Sequence, residues 1–369
     1  MLLNLESKEW GEFFINDVAE ILSGRDIYES ERYAGNTPYI SSTAKNNGIG
    51  HFVANNNKTL EGGCLSVNRN GSVGYSFYHP YQGLFSNDCR KLRPFIKSKY
   101  VGIFLSNQIT NQREKYNYGY KMGTARLKRQ KIMLPVNDSG EPDWQFMEQY
   151  TKSLMNRKTA EYLEYCRKKL ASLEFKAIEP PEDKEWHEFF LKDIFETVQR
   201  GKRLTKANQI DGKIPYVSST ALNNGVDNFI GNESGVRIFS DCLTIANSGS
   251  VGSSFHHPYE FIASDHVTHL KNSTFSSFVY LFIATQTNRL SGKYNFNREI
   301  NDKRISRDKI MLPVNDEGEP DYKYMEQYMM NLEYKKRKEF IDFSANEKLA
   351  KSKKANKKIQ RTQKAAPLI

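Results

Sequence analysis

Two stretches of this chain combine the basic, amide and aromatic side chains that nucleic-acid contacts require. They are REKYNYGYKMGTARLKRQ from Arg113 and SGKYNFNREINDKRISRD from Ser291. Arginine, lysine and asparagine offer hydrogen bonds to phosphates and base edges, and tyrosine or phenylalanine can pack on a sugar or a base. A solvent-exposed loop that caps a core has a similar composition. The pattern therefore favours nucleic-acid binding but leaves a structural role open.

Two polar tips of different chemistry lie upstream, each just before a Gly-Ser-Val-Gly segment. One carries Arg69 and Asn70, and the other carries Asn247 and Ser248. Because arginine prefers guanine O6 and N7 whereas asparagine prefers adenine, an exchange at a base-facing tip would change the sequence that is read. We predict as DNA-binding residues Arg69, Asn70, Tyr118, Lys121, Arg126, Lys128, Arg203, Asn247, Ser248, Arg298, Lys303 and Arg304.

These sites match because the chain contains an internal repeat. KIMLPVNDSGEPDWQFMEQY at Lys131–Tyr150 returns as KIMLPVNDEGEPDYKYMEQY at Lys309–Tyr328, with 16 of 20 residues identical. Such self-similarity indicates one structural unit used twice. Shared residues should then build the scaffold, and differing exposed residues should read different sequences. The differences concentrate in Tyr28–Asn36 against Thr205–Gly212, Asn68–Asn70 against Ala246–Ser248, and Tyr118–Arg126 against Phe296–Arg304.

The local patterns predict a mixed α/β domain in each copy. β-Branched segments that end in Asn-Asn-Gly predict strands followed by turns with positive φ. The apolar run from Tyr100, like its equivalent from Phe278, predicts a buried helix of about ten residues. The paired aromatics Phe13-Phe14 and Phe189-Phe190 predict a short helix or turn that docks on the core.

A long helix should follow each copy of the repeated motif, with Asp143 or Asp321 as its N-cap. The predicted helices cover 143–176 and 321 to about 348, and a 34-residue helix is about 50 Å long. Their apolar stripes predict that they pack on one another as a coiled-coil-like spacer. The predicted domains are 1–142 and 181–320, separated by a helix and Pro-Pro linker over 143–180 and followed by a helix with a basic tail over 321–369.

The composition limits the kinds of protein to which this chain can belong. Although the 369 residues carry a net charge of +11, twelve Lys/Arg and only three Asp/Glu lie between Tyr334 and Lys364. A nucleic-acid-binding tail and a solvated helix end both fit this tail. The four cysteines predict free thiols, with Cys64 and Cys242 in the core. The chain lacks an 18-residue apolar run and a signal-peptide pattern, so we expect it to be cytoplasmic.

Three catalytic or metal-binding alternatives have weak support. Asp321 with Glu333 and Lys335 nominally forms a PD…ExK nuclease pattern, but the first copy has Met155 and Arg157 at the last two positions. A zinc site could draw on Cys242 and on His256, His257, His266 and His269, yet no ligand pair has finger-like spacing. A methyltransferase would need an Asn/Asp-Pro-Pro-Tyr/Phe segment and a glycine-rich cofactor loop, and the sequence has neither.

The ordered motifs resemble one family over almost the whole chain, twice: the specificity subunits of type I restriction-modification systems and the similar type IIB subunits. The family order is an aromatic start, an I-P-x-x-S strand, an S-x-x-G-S/T-V/I-G turn, an S-N/D-x-x-x-x-L strand and a long helix. The two strand signatures and the turn between them lie here at Pro38–Thr43, Asn68–Gly74 and Ser86–Leu92, and again at Pro215–Thr220, Ala246–Gly252 and Ser264–Leu270. The closing IMLPVND-x-GEPD segment is similar to the type IIB branch.

This resemblance implies a non-catalytic subunit whose two target-recognition domains have pseudo-two-fold symmetry and each read one half of a bipartite double-stranded DNA target. Two long antiparallel helices would set the distance between the halves. Methyltransferase or methyltransferase-nuclease partners would dock on these helices and carry S-adenosylmethionine and Mg²⁺, with no cofactor in this chain. The predicted partner-binding residues are Met147, Tyr150, Leu154, Met325, Tyr328 and Leu332. The alternative is a repeat-containing adaptor that binds protein partners without sequence-specific DNA recognition.

Overall fold

The chain forms two compact units, each containing one copy of the repeat. The computed structural model describes residues 3–117, 119–294 and 298–364, and of residues 302 and 347–364 it describes the backbone alone. Unit 1 is Met1–Tyr162 and unit 2 is Leu163–Ile369. Both units mix helices with sheets, which confirms the predicted pair of α/β domains.

Unit 1 is built from short strands, one buried helix and the beginning of a long helix. Its strands are β1 (Trp10–Phe14), β2 (Ala19–Ser23), β3 (Ala34–Ile40), β4 (Ile49–Val53), β5 (Cys64–Asn68), β6 (Ser76–His79), β7 (Leu84–Phe85), β8 (Cys89–Pro94) and β9 (Lys131–Pro135). Its helices are α1 (Ile15–Val18), α2 (Lys99–Thr110), α3 (Thr124–Arg129) and α4 (Trp144–Ala171), with 3₁₀ turns at Glu29–Glu31, Asn46–Gly48 and Arg113–Lys115.

Unit 2 repeats this order of elements with one added strand, β14. Its strands are β10 (Trp186–Phe190), β11 (Thr197–Arg200), β12 (Asp211–Val217), β13 (Val226–Ile230), β14 (Ile238–Phe239), β15 (Cys242–Ala246), β16 (Ser254–His257), β17 (Phe261–Ala263), β18 (Val267–Lys271) and β19 (Lys309–Pro313). Its helices are α5 (Leu191–Ile194), α6 (Ser277–Thr287), α7 (Asp302–Ile305) and α8 (Tyr322–Lys364), with 3₁₀ turns at Lys206–Asn208, Leu222–Gly225 and Asn288–Gly292.

The main sheet of each unit supports the core. In unit 1 it has the strand order β2-β8-β5-β6, and in unit 2 the order β11-β18-β15-β16, with antiparallel neighbours throughout. A second sheet has the order β4-β3-β7 in unit 1 and β13-β12-β17-β14 in unit 2. Leu65 and Leu92 of the main sheet pack with Leu105 of α2, as Leu243 and Leu270 pack with Ile283 of α6. The predicted buried helices are confirmed.

The paired aromatic residues lie in a strand, so the predicted helix or turn at Phe13-Phe14 was wrong. β1 pairs antiparallel with β9, with Phe13 opposite Ile132, and β10 pairs with β19 in the same way. The one-turn helix α1 begins only at Ile15. The pairing partner lies more than a hundred residues away, and local spacing could not reveal it. The repeated KIMLP segment therefore closes each domain by pairing with the domain's first strand.

The Asn-Asn-Gly turns have the predicted left-handed backbone. Asn46 and Asn47 have φ of 49° and 54°, and Asn223 and Asn224 have the same values. Asparagine is among the few non-glycine residues that occupy this region readily. Each turn joins the two antiparallel strands of a hairpin, β3 to β4 and β12 to β13.

Both predicted N-caps are confirmed at the starts of the long helices. Asp143 Oδ1 accepts the Phe146 amide at 2.9 Å, and Asp321 Oδ1 accepts the Tyr324 amide at 2.9 Å. The other carboxylate oxygen of Asp143 pairs with Lys8 at 2.7 Å, and that of Asp321 pairs with Lys184 at 3.1 Å. Each cap therefore also links the helix to the segment that precedes the first strand.

The long helices end elsewhere than predicted. α4 stops at Ala171 rather than at 176, and α8 continues to Lys364 rather than to about 348. After α4 the backbone at Lys176 exchanges hydrogen bonds with the Asn331 side chain of α8, at 3.1 and 2.6 Å. These bonds hold the segment after α4 in a non-helical conformation against α8.

The last turns of α4 lie in unit 2 and contact α8. Cys166 is buried and lies 3.8 Å from Arg337 Nη1, and the Arg337 guanidinium lies over the Tyr165 ring. The antiparallel spacer as a whole stays a prediction. Across the described ranges no helix has the length and apolar composition needed to cross a membrane.

We predict that Asp143→Ala lowers the free energy of unfolding by about 1–2 kcal/mol at pH 7, because an N-cap and an ion pair are lost. Burial raises the pKa of Asp143, but the Lys8 and Phe146 hydrogen bonds outweigh it and lower the pKa below the usual value. The stabilisation is thus complete above about pH 4 and is lost as pH falls through the lower pKa of the folded state. Urea unfolding at pH 7 and below pH 3 measures it.

The exposed Asp138→Ala serves as the control, since Asp138 lies in the turn before the helix. Equal unfolding curves for the two variants at pH 7 would show that the cap contributes nothing measurable.

Candidate nucleic-acid interface

The Gly-Ser-Val-Gly segment forms the same tight turn in both units. Gly71 and Gly74 have φ of 56° and 84°, and Gly249 and Gly252 have φ of 56° and 83°. A Cβ at Gly71 would lie 2.5 Å from the Ser42 carbonyl oxygen, so glycine is required there for space as well as for conformation. The turn returns the chain from β5 to β6, or from β15 to β16, and leaves the preceding polar tip beside the main sheet.

The tip in unit 1 presents Arg69 and Asn70, which are half-buried. Their amides donate to the Asp88 carbonyl oxygen at 2.9 and 3.2 Å, and the Asn70 carboxamide donates to the Asp88 carboxylate. These bonds tie the tip to the loop before β8, so its side chains are held in place before any ligand binds.

The predicted DNA-binding stretch of unit 1 is a compact aromatic and basic cluster. The Tyr116 and Tyr120 rings stack with centroids 5.7 Å apart, and the Arg126 guanidinium lies 3.8 Å from the Tyr120 centroid. Arg126 Nη1 also donates to the Lys121 carbonyl at 2.7 Å. Tyr120 keeps 48% of its surface exposed. The cluster therefore offers a ring and a planar cation to solvent.

The remaining predicted residues of this stretch differ in position. Lys121 is half-buried, Lys128 is exposed, and Tyr118 lies outside the described residues. The base of the stretch is anchored by the Tyr116 hydroxyl, which donates to Gln130 at 2.5 Å.

Unit 2 anchors the equivalent stretch with a charge. Asp308, at the position of Gln130, is buried, accepts the Tyr294 hydroxyl at 2.5 Å and pairs with Lys293 Nζ at 2.5 Å. Burial, followed by the hydrogen bond and charge of Asp308, raises the pKa of Tyr294, so its hydroxyl stays a donor at neutral pH. Two copies of one loop thus use a neutral anchor and an ionic anchor.

All four predicted cations of unit 2 reach the surface. Arg203, Arg298, Lys303 and Arg304 are exposed. Arg298 lies over the Tyr294 ring at 5.7 Å, and Arg304 donates to the Glu299 carbonyl. Arg304 has the same place in α7 as Arg126 has in α3, so each short helix carries an arginine at its third residue.

The prediction that Asn247 and Ser248 contact DNA needs correction. Asn247 is 1% exposed, and its Oδ1 accepts the Thr268 hydroxyl at 2.9 Å inside the sheet. Ser248 is also buried and its Oγ lies 2.8 Å from His266 Nδ1. In this tip it is His266 that is exposed, at the position of Asp88. The second tip therefore differs from the first, because its accessible side chain comes from the loop before β18 and not from the turn after β15.

The predicted partner-binding residues also need correction, because the first turns of each long helix pack on their own domain. Met147 and Met325 are fully buried in the cores of units 1 and 2. Tyr150 meets the Phe104 ring and Tyr328 meets the Phe282 ring, edge to face. Of the six predicted residues, Leu154 is half-buried and Leu332 is exposed, so these two remain available.

The sequence did not single out two arginines near the unit 1 cluster. Arg113 lies over the Tyr75 ring at 4.9 Å, and Arg90 donates from β8 to the Thr124 hydroxyl at 2.7 Å. Arg113 belonged to the predicted stretch and could have been included on composition. No local pattern marked Arg90, because an arginine inside a strand looks like any other surface residue until its neighbours are known.

The metal-dependent alternatives find no site in the described parts of the chain. No three His, Cys, Asp or Glu side chains there are grouped as metal ligands. His257 is buried against Thr244 and Tyr259, and burial lowers its pKa to about 4. Asp321 and Glu333 lie twelve residues apart on one helix, about 18 Å along its axis, which is too far to hold one ion. Glu333 pairs instead with Arg337.

Comparison with known protein families finds the same family in both copies of the repeat. The family model of the type I restriction modification DNA specificity domain matches residues 7–164 and again 183–341. The chain belongs to this family. The resemblance deduced from the motifs is thereby confirmed.

One curated relative in this family is the specificity subunit S.BcgI of a type II restriction enzyme from Heyndrickxia coagulans. It is 39% identical over 158 residues, which cover 42% of this chain and 46% of the relative, so the match spans about half the length of that protein. Among solved structures, the S subunit of a type I restriction-modification system from M. genitalium is 15% identical, covers 96% of both chains and has a TM-score of 0.44. The HsdS subunit from Thermoanaerobacter tengcongensis is 14% identical, covers 89% of this chain and 91% of its own, and has a TM-score of 0.32.

We predict that Asp308→Asn loosens the loop of unit 2, because Lys293 loses its ionic partner inside the domain. The loss of a hydrogen bond to a charged group costs about 1.5–3 kcal/mol, so amides at 298–305 should exchange roughly 10-fold faster or more. Hydrogen exchange of the full chain measures the change, with Asp316→Asn as the exposed control. Unchanged exchange at 298–305 would mean that the carboxylate charge is dispensable.

Proposed function

We propose that this chain is the non-catalytic DNA-reading subunit of a restriction-modification complex, with each unit recognising one part of a two-part duplex sequence. The aromatic and basic cluster of Tyr116, Tyr120 and Arg126 carries the proposal. It combines a ring, a guanidinium and nearby lysines on a half-exposed loop, as base-edge and phosphate contacts require.

The comparison of the two units supports reading of two different sequences. The main sheet, the Gly-Ser-Val-Gly turn and the caps of the long helices are the same in both units, whereas Arg69 and Asn70 face Asp88 in unit 1 and the corresponding tip exposes His266 in unit 2. Arginine, asparagine and histidine present different donor and acceptor patterns to a base edge. A common scaffold with different tips suits two half-sites of unlike sequence.

The DNA-binding residues that we retain are those that the structure leaves exposed or half-buried. They are Arg69, Asn70, Lys121, Arg126 and Lys128 in unit 1, and Arg203, Arg298, Lys303 and Arg304 in unit 2. Tyr120 and Arg113 join them on the geometry of the cluster.

The chemistry of modification or cleavage would belong to methyltransferase or methyltransferase-nuclease partners, which would carry S-adenosylmethionine and Mg²⁺. We propose that these partners dock on a face that carries the same four residue types in both units. On the outer side of β1 and β9, Phe14 and Met133 are exposed at 41% and 38% beside the Glu12–Lys131 ion pair. Unit 2 has the same four residue types at Glu188, Phe190, Lys309 and Met311, again with an ion pair.

An adaptor that binds only proteins would use the same face but would not bind duplex DNA in a sequence-selective and salt-dependent way. Binding to DNA therefore separates the two functions.

We predict that Arg126→Ala weakens binding of the assembled complex to its target duplex by about 1–3 kcal/mol, because a base or phosphate contact is lost. Arg304→Ala should do the same through the other half-site. Fluorescence anisotropy at fixed salt, repeated over a salt series, measures both the affinity and the number of phosphate contacts.

The control for both variants is Lys168→Ala, which removes the same charge from an exposed position near the end of α4. If the control and the two loop variants bind the target equally well, the loops are not the reading surface.

We predict that Met133→Asp combined with Met311→Asp impairs capture of a partner methyltransferase subunit while leaving the domains folded. Each change places a carboxylate in an exposed apolar position that a protein interface would desolvate, at a cost of a few kcal/mol. Copurification of the partner measures the effect, with Lys168→Asp as the control. Full capture by the double variant would place the docking surface elsewhere.

A further inference from the structure

An arginine changes strands between the two units. In unit 1, Arg90 of β8 is the direct cross-strand neighbour of Ser23 in β2. In unit 2, the corresponding pair is Thr268 of β18 and Arg200 in β11. Both pairs join the edge strand of the main sheet to its neighbour. The arginine is thus on the inner strand in one unit and on the edge strand in the other.

The two positions are equivalent in the fold as well as in the sheet order. Each edge strand is followed by a glycine, Gly24 or Gly201, whose Cβ would lie 2.0 Å from the Ser86 carbonyl oxygen or 2.2 Å from the Ala263 carbonyl oxygen. The next amide, of Arg25 or Lys202, donates to the last residue of β7 or β17. The arginine therefore changes strand at the same point of both sheets.

Arg90 uses its guanidinium to tie two loops together. It is 7% exposed, and Nε donates to the Thr124 hydroxyl at 2.7 Å. Nη1 donates to the carbonyl and side-chain oxygens of Asn87 at 2.9 and 3.1 Å. Thr124 is the first residue of α3, the short helix that carries Arg126.

Arg200 reaches the equivalent loop from the other strand. Its Nη2 donates to the Ile300 carbonyl at 2.8 Å. Ile300 lies two residues before the start of α7, the short helix that carries Arg304, and its own amide donates to the Asn247 carbonyl at 3.0 Å. The guanidinium therefore holds the segment that enters the helix.

We propose that Arg90 and Arg200 are equivalent positioning residues, each of which fixes the start of the short helix that presents Arg126 or Arg304 for DNA reading. The second half of this statement depends on the proposed function, whereas the anchoring itself does not. Each unit then holds its short helix with one guanidinium, which comes from the inner strand in the Ser23/Arg90 pair and from the edge strand in the Arg200/Thr268 pair.

The physical need for such an anchor is clear from helix length. α3 has six residues and α7 has four, far fewer than the 12–15 that an isolated helix needs in water. Such a helix keeps its place only through contacts with the rest of the domain. A guanidinium is suited to the task because it offers several donors in a rigid plane and stays charged. Residue-by-residue comparison of the copies would miss the equivalence, since neither position conserves the arginine.

The test compares Arg90→Thr with the double variant Ser23→Arg/Arg90→Thr in the full chain without DNA. Arg90→Thr removes the anchor, so amides at 123–129 should exchange about 10-fold faster. The double variant places the guanidinium where unit 2 has it, and exchange should return to within about 3-fold of the original. Lys128→Thr, an exposed change in the same helix, should leave the other amides of 123–129 unaffected.

Two results would overturn the proposal. One is unchanged exchange at 123–129 in a folded Arg90→Thr, and the other is a double variant that exchanges as fast as the single one. If Arg90→Thr does not fold, the same comparison is made with Arg200→Ser and Arg200→Ser/Thr268→Arg at residues 298–305. Arg200 is half-buried and its replacement leaves the inner strand intact. Rescue by the double variant supports the proposal, and lack of rescue refutes it.

Target-duplex affinity of the assembled complex is measured on the original chain, on Arg90→Thr and on the double variant, and not on Lys128→Thr, because Lys128 is itself a proposed DNA contact. If both the anchor and the proposed function hold, affinity falls in Arg90→Thr and recovers in the double variant. If exchange is rescued but no variant, nor the original chain, binds duplex selectively, the proposed function fails and the anchor stands.

Discussion

Each unit depends on the pairing of its first strand with its last. β1 lies against β9, and β10 against β19, over five residues in identical register. The pairing brings the beginning and the end of more than a hundred residues together immediately before a capped helix. Lys8 and Lys184, just ahead of the first strands, then pair with the N-cap aspartates. The long helix is thus joined to a closed domain, with two independent attachments at its first turn.

This closure explains why the repeated motif is nearly invariant between the copies. Its strand, turn and cap all make contacts within the scaffold, and its buried methionine fills the core under the helix. A residue with such contacts cannot also distinguish one sequence from another. Residues can differ between the two copies only where they are not needed for contacts within the scaffold, namely at the tips beside the main sheet and in the loops after the buried helix. These loops must still be held, because a six-residue helix is not stable alone.

The interactions that hold the loops in place differ between the two units, as do the exposed residues of the loops. A glutamine in one unit is replaced by a buried aspartate with its lysine in the other, and a strand arginine moves to the neighbouring strand. Each replacement keeps the donors and acceptors of the buried groups satisfied, which is the condition for burying them at all. The surface chemistry can therefore diverge while the backbone of the loop stays in one place.

The sequence by itself determined the duplication, the mixed α/β domains, the positive-φ asparagine turns, the glycine turn and the capped starts of the long helices. These features depend on local conformation or on self-similarity, and both are readable along a chain. The tertiary structure alone decided that Phe13 and Phe14 lie in a strand, that Asn247 is core and that Met147 and Met325 serve their own domain. Only the tertiary structure also revealed that Arg90 donates a hydrogen bond to Thr124 at the start of α3. In each case the deciding contact comes from a residue distant in sequence, and a periodic pattern carries no information about which partner will cover it.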